Sequence, residues 1–372
     1  MLFSNAEIFM PGGYLYGGFR VENWRFTEIL PGLAQGGTDL GGSKVLPGLV
    51  DIHTHGNSGA DFSDGDTDGL FRMARYLASN GVTSFAPATM TLPYETLAAA
   101  FETAVQFRAR RPAGCARVVG IHMEGPFLAE KRKGAQNAEH LREPDFDAFR
   151  KLYDSCGGLI SIVDVAPELP GAVAFTGRAK EHCVVSVGHT DAGYEEAAAV
   201  FDAGATHLTH LFNAMPPIDH RRPGVIGAAS ERDTVRAELI CDGVHVHPGA
   251  VRMAFRLFAG RICLISDALR CCGMPDGEYE LGGQAVYLRD GAARLADGTL
   301  AGSAANLYTC MRNAIRFGIP EAEAIRSATI VPARQIGAAD QIGSIEAGKL
   351  ADFVVCDDAL NLRQVYVKGT AI

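Results

Sequence analysis

Short apolar runs and amphipathic segments alternate through the middle of the chain. Eight apolar runs predict buried strands, at residues 48–55, 81–86, 117–124, 159–166, 183–189, 206–212, 236–242 and 261–267. Segments with the helical spacing of apolar residues separate most of these runs, at residues 68–80, 94–111, 145–155, 192–203 and 248–259. Strands that alternate with helices in this way are typical of a parallel sheet in an α/β fold.

The number of these strands predicts a closed barrel. Eight strands with intervening helices over about 250 residues match a (β/α)8 TIM-type barrel. In such a barrel the carboxyl ends of all the strands meet at one mouth, where the active residues lie. We therefore look for chemistry at the residues that close the eight runs.

Both ends of the chain carry a different pattern, rich in Gly and in short strand-like runs. We predict that the two ends meet in one small β-sandwich domain, formed by residues 1–46 and 345–372. The barrel domain then covers residues 47–344. Within it, a β-rich insert is expected near residues 277–299, and two helices are expected near residues 305–317 and 321–329.

Composition narrows the class of protein. The chain has 372 residues, of which 47% are hydrophobic, and this is ample for a large core. No apolar run approaches the length of a membrane span and no basic-then-apolar leader is present, so we expect a cytoplasmic protein without membrane contact. A net charge of −9 without a basic run argues against nucleic-acid binding. The nine cysteines lack the spacing of a disulfide framework.

Five of the eight predicted strands end in side chains that bind metals or move protons. These are His53 and His55 on the first strand, Glu124 on the third, His189 on the fifth, His210 on the sixth and Asp267 on the eighth. The two residues of the first strand are two positions apart and therefore point to the same side. Each residue alone has an ordinary structural explanation, such as a cap or a loop hydrogen bond. Their joint position at one barrel mouth indicates a site.

These residue types suit metal-assisted hydrolysis. Glu124, His189 and His210 would hold a divalent ion that lowers the pKa of a bound water toward ~7. Asp267 would take the proton of the attacking water and pass it to the leaving nitrogen. His245 is the candidate neutral donor for the developing oxyanion. Zn2+ and Fe2+ both suit such a site, and the sequence leaves one or two ions open.

Several segments resemble the amidohydrolase superfamily and, within it, the N-acetylglucosamine-6-phosphate deacetylase family. The superfamily is marked by the His53-Thr-His55 pair and by Ala347-Gly-Lys-Leu-Ala-Asp near the carboxyl end. Glu124-Gly-Pro-Phe and His210-Leu-Phe-Asn-Ala-Met-Pro are far more specific to the deacetylases. Matching segments extend over nearly the whole chain.

The resemblance implies a reaction, a fold and a metal site. The reaction is hydrolysis of an N-acetyl group to give acetate and an amino-sugar phosphate, and the fold is a (β/α)8 barrel joined to a small β-sandwich. Glu124, His189 and His210 match the main metal ligands, and Asp267 matches the acid/base. His53 and His55 match the pair that forms a second metal site in some members.

The resemblance also implies the contacts with the sugar and the assembly. The matching substrate-binding positions are Ala135, Gln136, Asn213, Ala214, His245 and the turn Leu300, Ala301 and Gly302. Arg221 matches the phosphate-binding Arg, whose planar fork suits two phosphate oxygens. The family is typically dimeric, so we expect a homodimer, and it stays open whether Arg221 acts across the interface.

Two features depart from relatives. Gln136 stands where the family usually has a His that contacts substrate, and an amide cannot carry charge. The fourth predicted strand has no Lys, which some superfamily members modify to bridge two metals, so Glu124 would supply that carboxylate.

Gln136 keeps the substrate open. An N-acetylgalactosamine-6-phosphate deacetylase and a D-aminoacylase-like enzyme are the alternatives within the superfamily. A non-catalytic barrel is the alternative from another class, and the intact set of His, Glu and Asp argues against it.

Overall fold

The computed structural model describes residues 1–33, 36–110 and 112–372. Four strands open the chain, and they are β1 (Leu2–Met10), β2 (Gly13–Glu22), β3 (Arg25–Pro31) and β4 (Thr38–Pro47). Strand β1 pairs antiparallel with β2 and parallel with β4. Each strand mixes buried with exposed positions, as expected for a sheet with one face on a core.

The middle of the chain alternates strands with helices. The strands are β5 (Leu49–Thr54), β6 (Gly56–Asn57), β7 (Ala60–Asp61), β8 (Val82–Pro87), β9 (Arg117–Val118), β10 (Ile121–Met123), β11 (Ile160–Val165), β12 (Val184–Val187), β13 (His207–Leu208), β14 (Arg236–Ile240) and β15 (Ile262–Ile265). The helices are α1 (Thr67–Ser79), α2 (Tyr94–Arg110), α3 (Phe146–Ser155), α4 (Ala172–Ala179), α5 (Tyr194–Ala203), α6 (Gly224–Ser230) and α7 (Pro248–Leu257). Short 3-10 helices lie at Phe62–Asp64, Glu130–Arg132 and Ala138–His140.

The long strands of this region are parallel and buried on both faces. Strands β10 to β15 form one six-stranded sheet in chain order, and β5, β8 and β9 form a three-stranded sheet. Every residue of β5 and β8 is buried, as expected for parallel strands that are covered on both faces. The two sheets meet at both edges: Ala88 bridges to His122, and the amide of Asp267 donates to the carbonyl of His53 at 3.0 Å.

The helices cover the outside of these sheets with one apolar face each. In α1 the side chains of Leu70, Met73 and Leu77 face the core, and the carboxylate of Asp66 caps the first turn by accepting from the amides of Asp68 and Gly69. None of the helices in the described part of the chain has the length and apolar character needed to cross a membrane.

A four-stranded antiparallel sheet follows β15, and then the chain returns to its beginning. The elements are β16 (Gly277–Leu281), β17 (Gln284–Arg289), β18 (Ala292–Leu295), β19 (Leu300–Ser303), α8 (Leu307–Arg316), α9 (Glu321–Ser327), α10 (Ile330–Gln335), β20 (Phe353–Cys356), β21 (Leu362–Val367) and β22 (Thr370–Ala371). The predicted insert is therefore longer than expected. Leu300, Ala301 and Gly302 lie in strand β19 and not in a turn.

Both ends of the chain share one seven-stranded sheet. Its order is β22-β21-β20-β4-β1-β2-β3, so β4 and β20 pair across most of the chain's length. Phe3, Phe19, Phe26 and Phe353 pack ring against ring in the core of this sheet. The amide of Phe26, in β3, donates to the carbonyl of Lys349, which precedes β20, so the sheet curls back on itself.

Several predicted elements differ from the observed ones. The third predicted strand is interrupted between β9 and β10, and the sixth shrinks to the two residues of β13. Helices α4, α6 and α10 were not predicted, because they are short and rich in Gly and Ala or contain Pro, which weakens the apolar periodicity. Helix α2 ends at Arg110, and Arg111, the last residue of the predicted segment, lies outside the described residues.

Candidate active site

The predicted metal-type residues converge at one end of the parallel strands. Glu124 follows β10, His189 follows β12 and His210 follows β13. The Oε1 atom of Glu124 lies 3.1 Å from His189 Nε2 and 3.0 Å from His210 Nε2, and the two imidazole nitrogens are 3.1 Å apart. All three side chains are buried. The strand ends thus form one compact cluster.

The donor atoms of this cluster fit a cation. His189 Nδ1 is 2.8 Å from the carbonyl oxygen of Arg132, which only accepts, so Nδ1 carries the proton. The neutral ring then directs the bare Nε2 lone pair at the carboxylate of Glu124. Lone pairs that face each other in a buried space are unfavourable without positive charge between them. Glu124, His189 and His210 therefore suit a divalent metal ion.

A second cluster adjoins the first through Glu124. His55 Nε2 lies 3.3 Å from Glu124 Oε2 and 3.3 Å from His53 Nε2. His53 Nε2 lies 3.5 Å from Glu124 Oε1, so Glu124 belongs to both clusters.

Opposing effects act on the pKa values of the cluster. Burial acts to raise the pKa of Glu124, but the charge of His53 and the other imidazoles around the carboxylate hold it well below its usual range. Burial acts to lower the pKa of His210, but Glu124 raises it to about 9. Glu124 is therefore ionised, and the site as a whole attracts positive charge.

Asp267 lies beside this pair of clusters. It follows β15 with φ +47°, and its Oδ1 is 3.3 Å from His55 Nε2. Burial acts to raise the pKa of Asp267, but the hydrogen bond from His55 and the charge of His53 lower it overall. The backbone is fixed on both sides, since the Asp267 amide donates to His53 and the Asp267 carbonyl accepts from the amide of Ser303 at 2.8 Å. An ionised carboxylate is thus held rigidly where a proton acceptor is needed.

A buried acid beneath the clusters was not predicted from the sequence. Glu238, on β14, accepts from His53 Nδ1 at 2.9 Å, from His207 Nε2 at 3.0 Å and from the backbone amide of His210 at 3.1 Å. It therefore fixes the orientation of one candidate ligand and the backbone of another. The only signal in the sequence is an acid inside the apolar run Ala237-Glu238-Leu239-Ile240.

A cavity of about 320 Å³ opens over Asp267 and the clusters, which is the size of a small-molecule site. Its lining includes eight of the nine predicted substrate-binding residues, namely Ala135, Gln136, Asn213, Ala214, His245, Leu300, Ala301 and Gly302. Arg221 is exposed and is not among the lining residues. The cations that line the cavity are Lys131 and Arg132, and both pair with Asp191.

His245 is held by an acid of its own loop. His245 Nδ1 lies 2.7 Å from Asp242 Oδ2, and both side chains are almost completely buried. Burial acts to raise the pKa of Asp242, but the hydrogen bond from His245 lowers it overall, so Asp242 only accepts. With the proton on Nδ1, a neutral ring has a bare Nε2. The expected neutral donor does not fit this contact, because His245 donates through Nε2 only as an imidazolium.

The strands of the insert reach the site at two points. The side-chain amide of Gln284, at the start of β17, donates from Nε2 to the carbonyl of Ala135 at 2.6 Å. The last strand of the insert, β19, contacts the site through the hydrogen bond from the backbone amide of Ser303 to the carbonyl of Asp267. The insert therefore supports one wall of the cavity.

The chain is similar to known proteins over most of its length. The profile of the Amidohydrolase family matches residues 44–372. The chain is 40% identical over 318 residues to N-acetylglucosamine-6-phosphate deacetylase of Bacillus subtilis (strain 168), covering 84% of this chain and 80% of the relative. It is 36% identical over 334 residues to N-acetylgalactosamine-6-phosphate deacetylase of Escherichia coli O157:H7, covering 89% of this chain and 88% of the relative.

A solved structure matches the fold over the whole chain. It is a mutant N-acetyl-D-glucosamine-6-phosphate deacetylase of Mycobacterium smegmatis in complex with N-acetyl-D-glucosamine-6-phosphate. The TM-score is 0.94 at 34% identity, over 100% of this chain and 98% of the other. The match includes the strands of both chain ends and those of the insert.

Proposed function

The chain belongs to the amidohydrolase family, and on that premise we propose that it hydrolyses N-acetylglucosamine 6-phosphate to acetate and glucosamine 6-phosphate. One observation carries the proposal: the ionised Asp267 stands beside two adjoining His/Glu clusters on the floor of a small cavity. This combination suits an amide hydrolysis in which one carboxylate moves the proton.

Metal ions belong to this proposal. Glu124, His189 and His210 would hold one divalent ion, and His53 and His55 would hold a second together with Glu124. When bound, an ion supplies Lewis-acid activation of water and of the amide carbonyl. Imidazole and carboxylate ligands suit Zn2+ and Fe2+.

The protein's own groups carry the proton. Asp267 accepts a proton from the attacking water as the water oxygen bonds to the acetyl carbonyl carbon. It then delivers this proton to the sugar nitrogen as the C–N bond breaks, which leaves acetate and a free amine. His245, held by Asp242 through Nδ1, would as an imidazolium donate from Nε2 to the carbonyl oxygen on which negative charge develops.

The phosphate requires a cation. Among the residues that line the cavity of one subunit, each Lys or Arg already has a carboxylate partner. Lys131 and Arg132 are already bound to Asp191, and Arg221 is exposed at a distance from the lining. We therefore propose a homodimer in which Arg221 of one subunit binds the phosphate in the cavity of the other.

Finer features of the fold belong to the same proposal. The edge contacts between Ala88 and His122 and between Asp267 and His53 support a closed (β/α)8 barrel. The curled seven-stranded sheet around Phe3 and Phe353 supports a β-sandwich, with residues 1–46 and 345–372 as its domain. A cytoplasmic location stays a prediction.

The test is acetate release from metal-loaded protein. N-acetylglucosamine 6-phosphate is compared with its galactose epimer, and each is tested with and without phosphate. Release that is fastest with the phosphorylated glucose epimer supports the proposal. Preference for the galactose epimer would favour the alternative function, deacetylation of N-acetylgalactosamine 6-phosphate, which is the activity named for the Escherichia coli relative. No release from any of the four sugars would reject both.

A further inference from the structure

Gln136 belongs to the lining of the cavity, but its side chain is almost completely buried. Only 2% of its surface is exposed. It follows the 3-10 turn Glu130–Arg132 in a loop that packs against the candidate ligand His189, whose ring lies close to Gly134. The amide of Ala129 also donates to the carbonyl of His189 at 2.9 Å. The position of Gln136 is thus fixed by its neighbours.

Both polar atoms of the Gln136 side chain already have protein partners. Its Oε1 accepts from the backbone amide of Thr91 at 2.6 Å, and its Nε2 donates to Glu124 Oε2 at 2.6 Å. The backbone amide can only donate and the ionised carboxylate can only accept, so the two partners determine which way the side-chain amide faces. A flipped amide would lose both bonds.

The contact with Glu124 falls on a specific oxygen. Glu124 Oε1 lies 3.0–3.1 Å from His210 and His189 and 3.5 Å from His53, whereas Oε2 faces His55 and the side-chain amide of Gln136. A hydrogen bond on Oε2 therefore prevents rotation of the carboxylate and keeps Oε1 beside the imidazoles of His189 and His210. Among the described residues, Gln136 is the only side chain apart from the imidazoles that donates a hydrogen bond to Glu124.

We propose that Gln136 is a positioning residue for the metal site, which acts by orienting the carboxylate of Glu124 through the bond to Oε2. This inference rests on the proposed metal site but not on the identity of the sugar. It differs from the role that the family resemblance implies at this position, where a His contacts substrate.

The test measures metal affinity of Gln136→Met, a substitution that nearly keeps the shape and removes both hydrogen bonds. Zn2+ is titrated into metal-free protein against a chromophoric chelator, with no substrate present. We expect the affinity to fall by about 10–100-fold, as for other residues that orient a metal ligand. The ratio of bound metal to protein after dialysis is the second readout.

Gln284→Met is the matched control. Gln284 is also a glutamine that fastens this loop, through the carbonyl of Ala135, but it has no contact with Glu124. We expect its metal affinity to stay within about threefold of the unsubstituted protein, well short of the loss typical of an orienting residue. Equal losses in the two variants would overturn the proposal, because they would mean that the loop and not the carboxylate is affected.

Kinetics distinguish the remaining explanation. If Gln136 served the sugar, Gln136→Met would raise KM and leave metal affinity unchanged, and this result would overturn the proposal. If Gln136→Met does not fold, Gln136→Asn is judged by the same criteria, because the shorter amide cannot keep both bonds. Weakened metal binding in a protein that deacetylates none of the tested sugars would reject the proposed substrate and leave this inference standing.

Discussion

At the scale of single residues, the site depends on two buried carboxyl groups that stay ionised. Asp267 remains ionised although it is almost fully buried, because His55 and His53 lie on one side of it. Asp242 remains ionised for a similar reason and keeps His245 oriented. In the proposed mechanism, Asp267 moves the proton of the reaction, while Asp242 acts only on the imidazole of His245.

Removing the charge of Asp267 tests the first role. Asp267→Asn keeps the shape of the side chain but cannot accept the proton of the attacking water. We expect kcat to fall by about 10²–10⁴-fold. Metal content, measured by atomic emission, should not change. Activity close to that of the unsubstituted protein would exclude Asp267 as the base.

Asp242→Asn tests the second role. An amide nitrogen facing His245 Nδ1 favours the other neutral tautomer and no longer stabilises the imidazolium. We expect kcat to fall by about 10–10²-fold, less than the 10²–10³-fold typical of losing an oxyanion donor entirely, since Nε2 can still donate in that tautomer. Steady-state kinetics beside His245→Ala provide the comparison. A loss greater than that of His245→Ala would contradict the proposed relation.

At the scale of elements, strand β19 fixes the position of Asp267. Ser303 donates to the carbonyl of Asp267 and accepts from the amide of Leu269, so β19 holds the segment after β15 from both sides. Gly302 has φ +154°, and a Cβ there would come within 2.8 Å of Leu269 Cδ2 and 3.1 Å of the Asp267 carbonyl oxygen. The close approach requires glycine.

Gly302→Ala should therefore displace Asp267 without altering any ionisable group. We expect kcat to fall by about 10–10²-fold, because small displacements of catalytic groups are costly. Stability should fall by about 1–3 kcal/mol through backbone strain, measured by urea unfolding. Ala301→Gly, one residue earlier on the same strand, is the control. Equal kinetics for the two variants would contradict this role of Gly302.

The elements also explain what the sequence could predict. The strand-end residues Glu124, His189 and His210 could be grouped because parallel strands that follow one another bring their ends together. Glu238 could not be assigned to the site from the sequence, because its partners His53 and His207 are recognisable only when the register of three strands is known. Gln136 was noted as a departure from the family, but its contact with Glu124 depends on the fold of a loop without periodicity.

At the scale of the whole molecule, the cavity of one chain meets the requirements for deacetylation better than those for phosphate binding. Its lining contains the acid and the metal-type clusters, whereas Arg221 lies on an exposed loop. The backbone amides of Arg221 and Arg222 are fixed by Asp219, so this loop is ordered although its Arg side chains are exposed. In the proposed homodimer, this loop would contact the second subunit.

Co-expression of two defective variants tests whether Arg221 acts across the interface. Asp267→Asn and Arg221→Ala should each be nearly inactive on the phosphorylated sugar. If Arg221 acts in the partner's cavity, mixed dimers contain one complete site, and activity returns. Differently tagged chains allow the mixed dimer to be purified and assayed. Mixed dimers without activity would place Arg221 in the cavity of its own subunit.

Strand β4 has β1 on one side and β20 on the other, so its neighbours belong to opposite ends of the chain. During synthesis, β4 leaves the ribosome about 300 residues before β20, which takes tens of seconds at roughly 5–20 residues per second. Throughout this interval one edge of β4 is open and can pair with another nascent chain. Translation speed thus sets the time for which the incomplete sheet is exposed. A chaperone that binds the nascent chain during this time is expected to bind its first four strands.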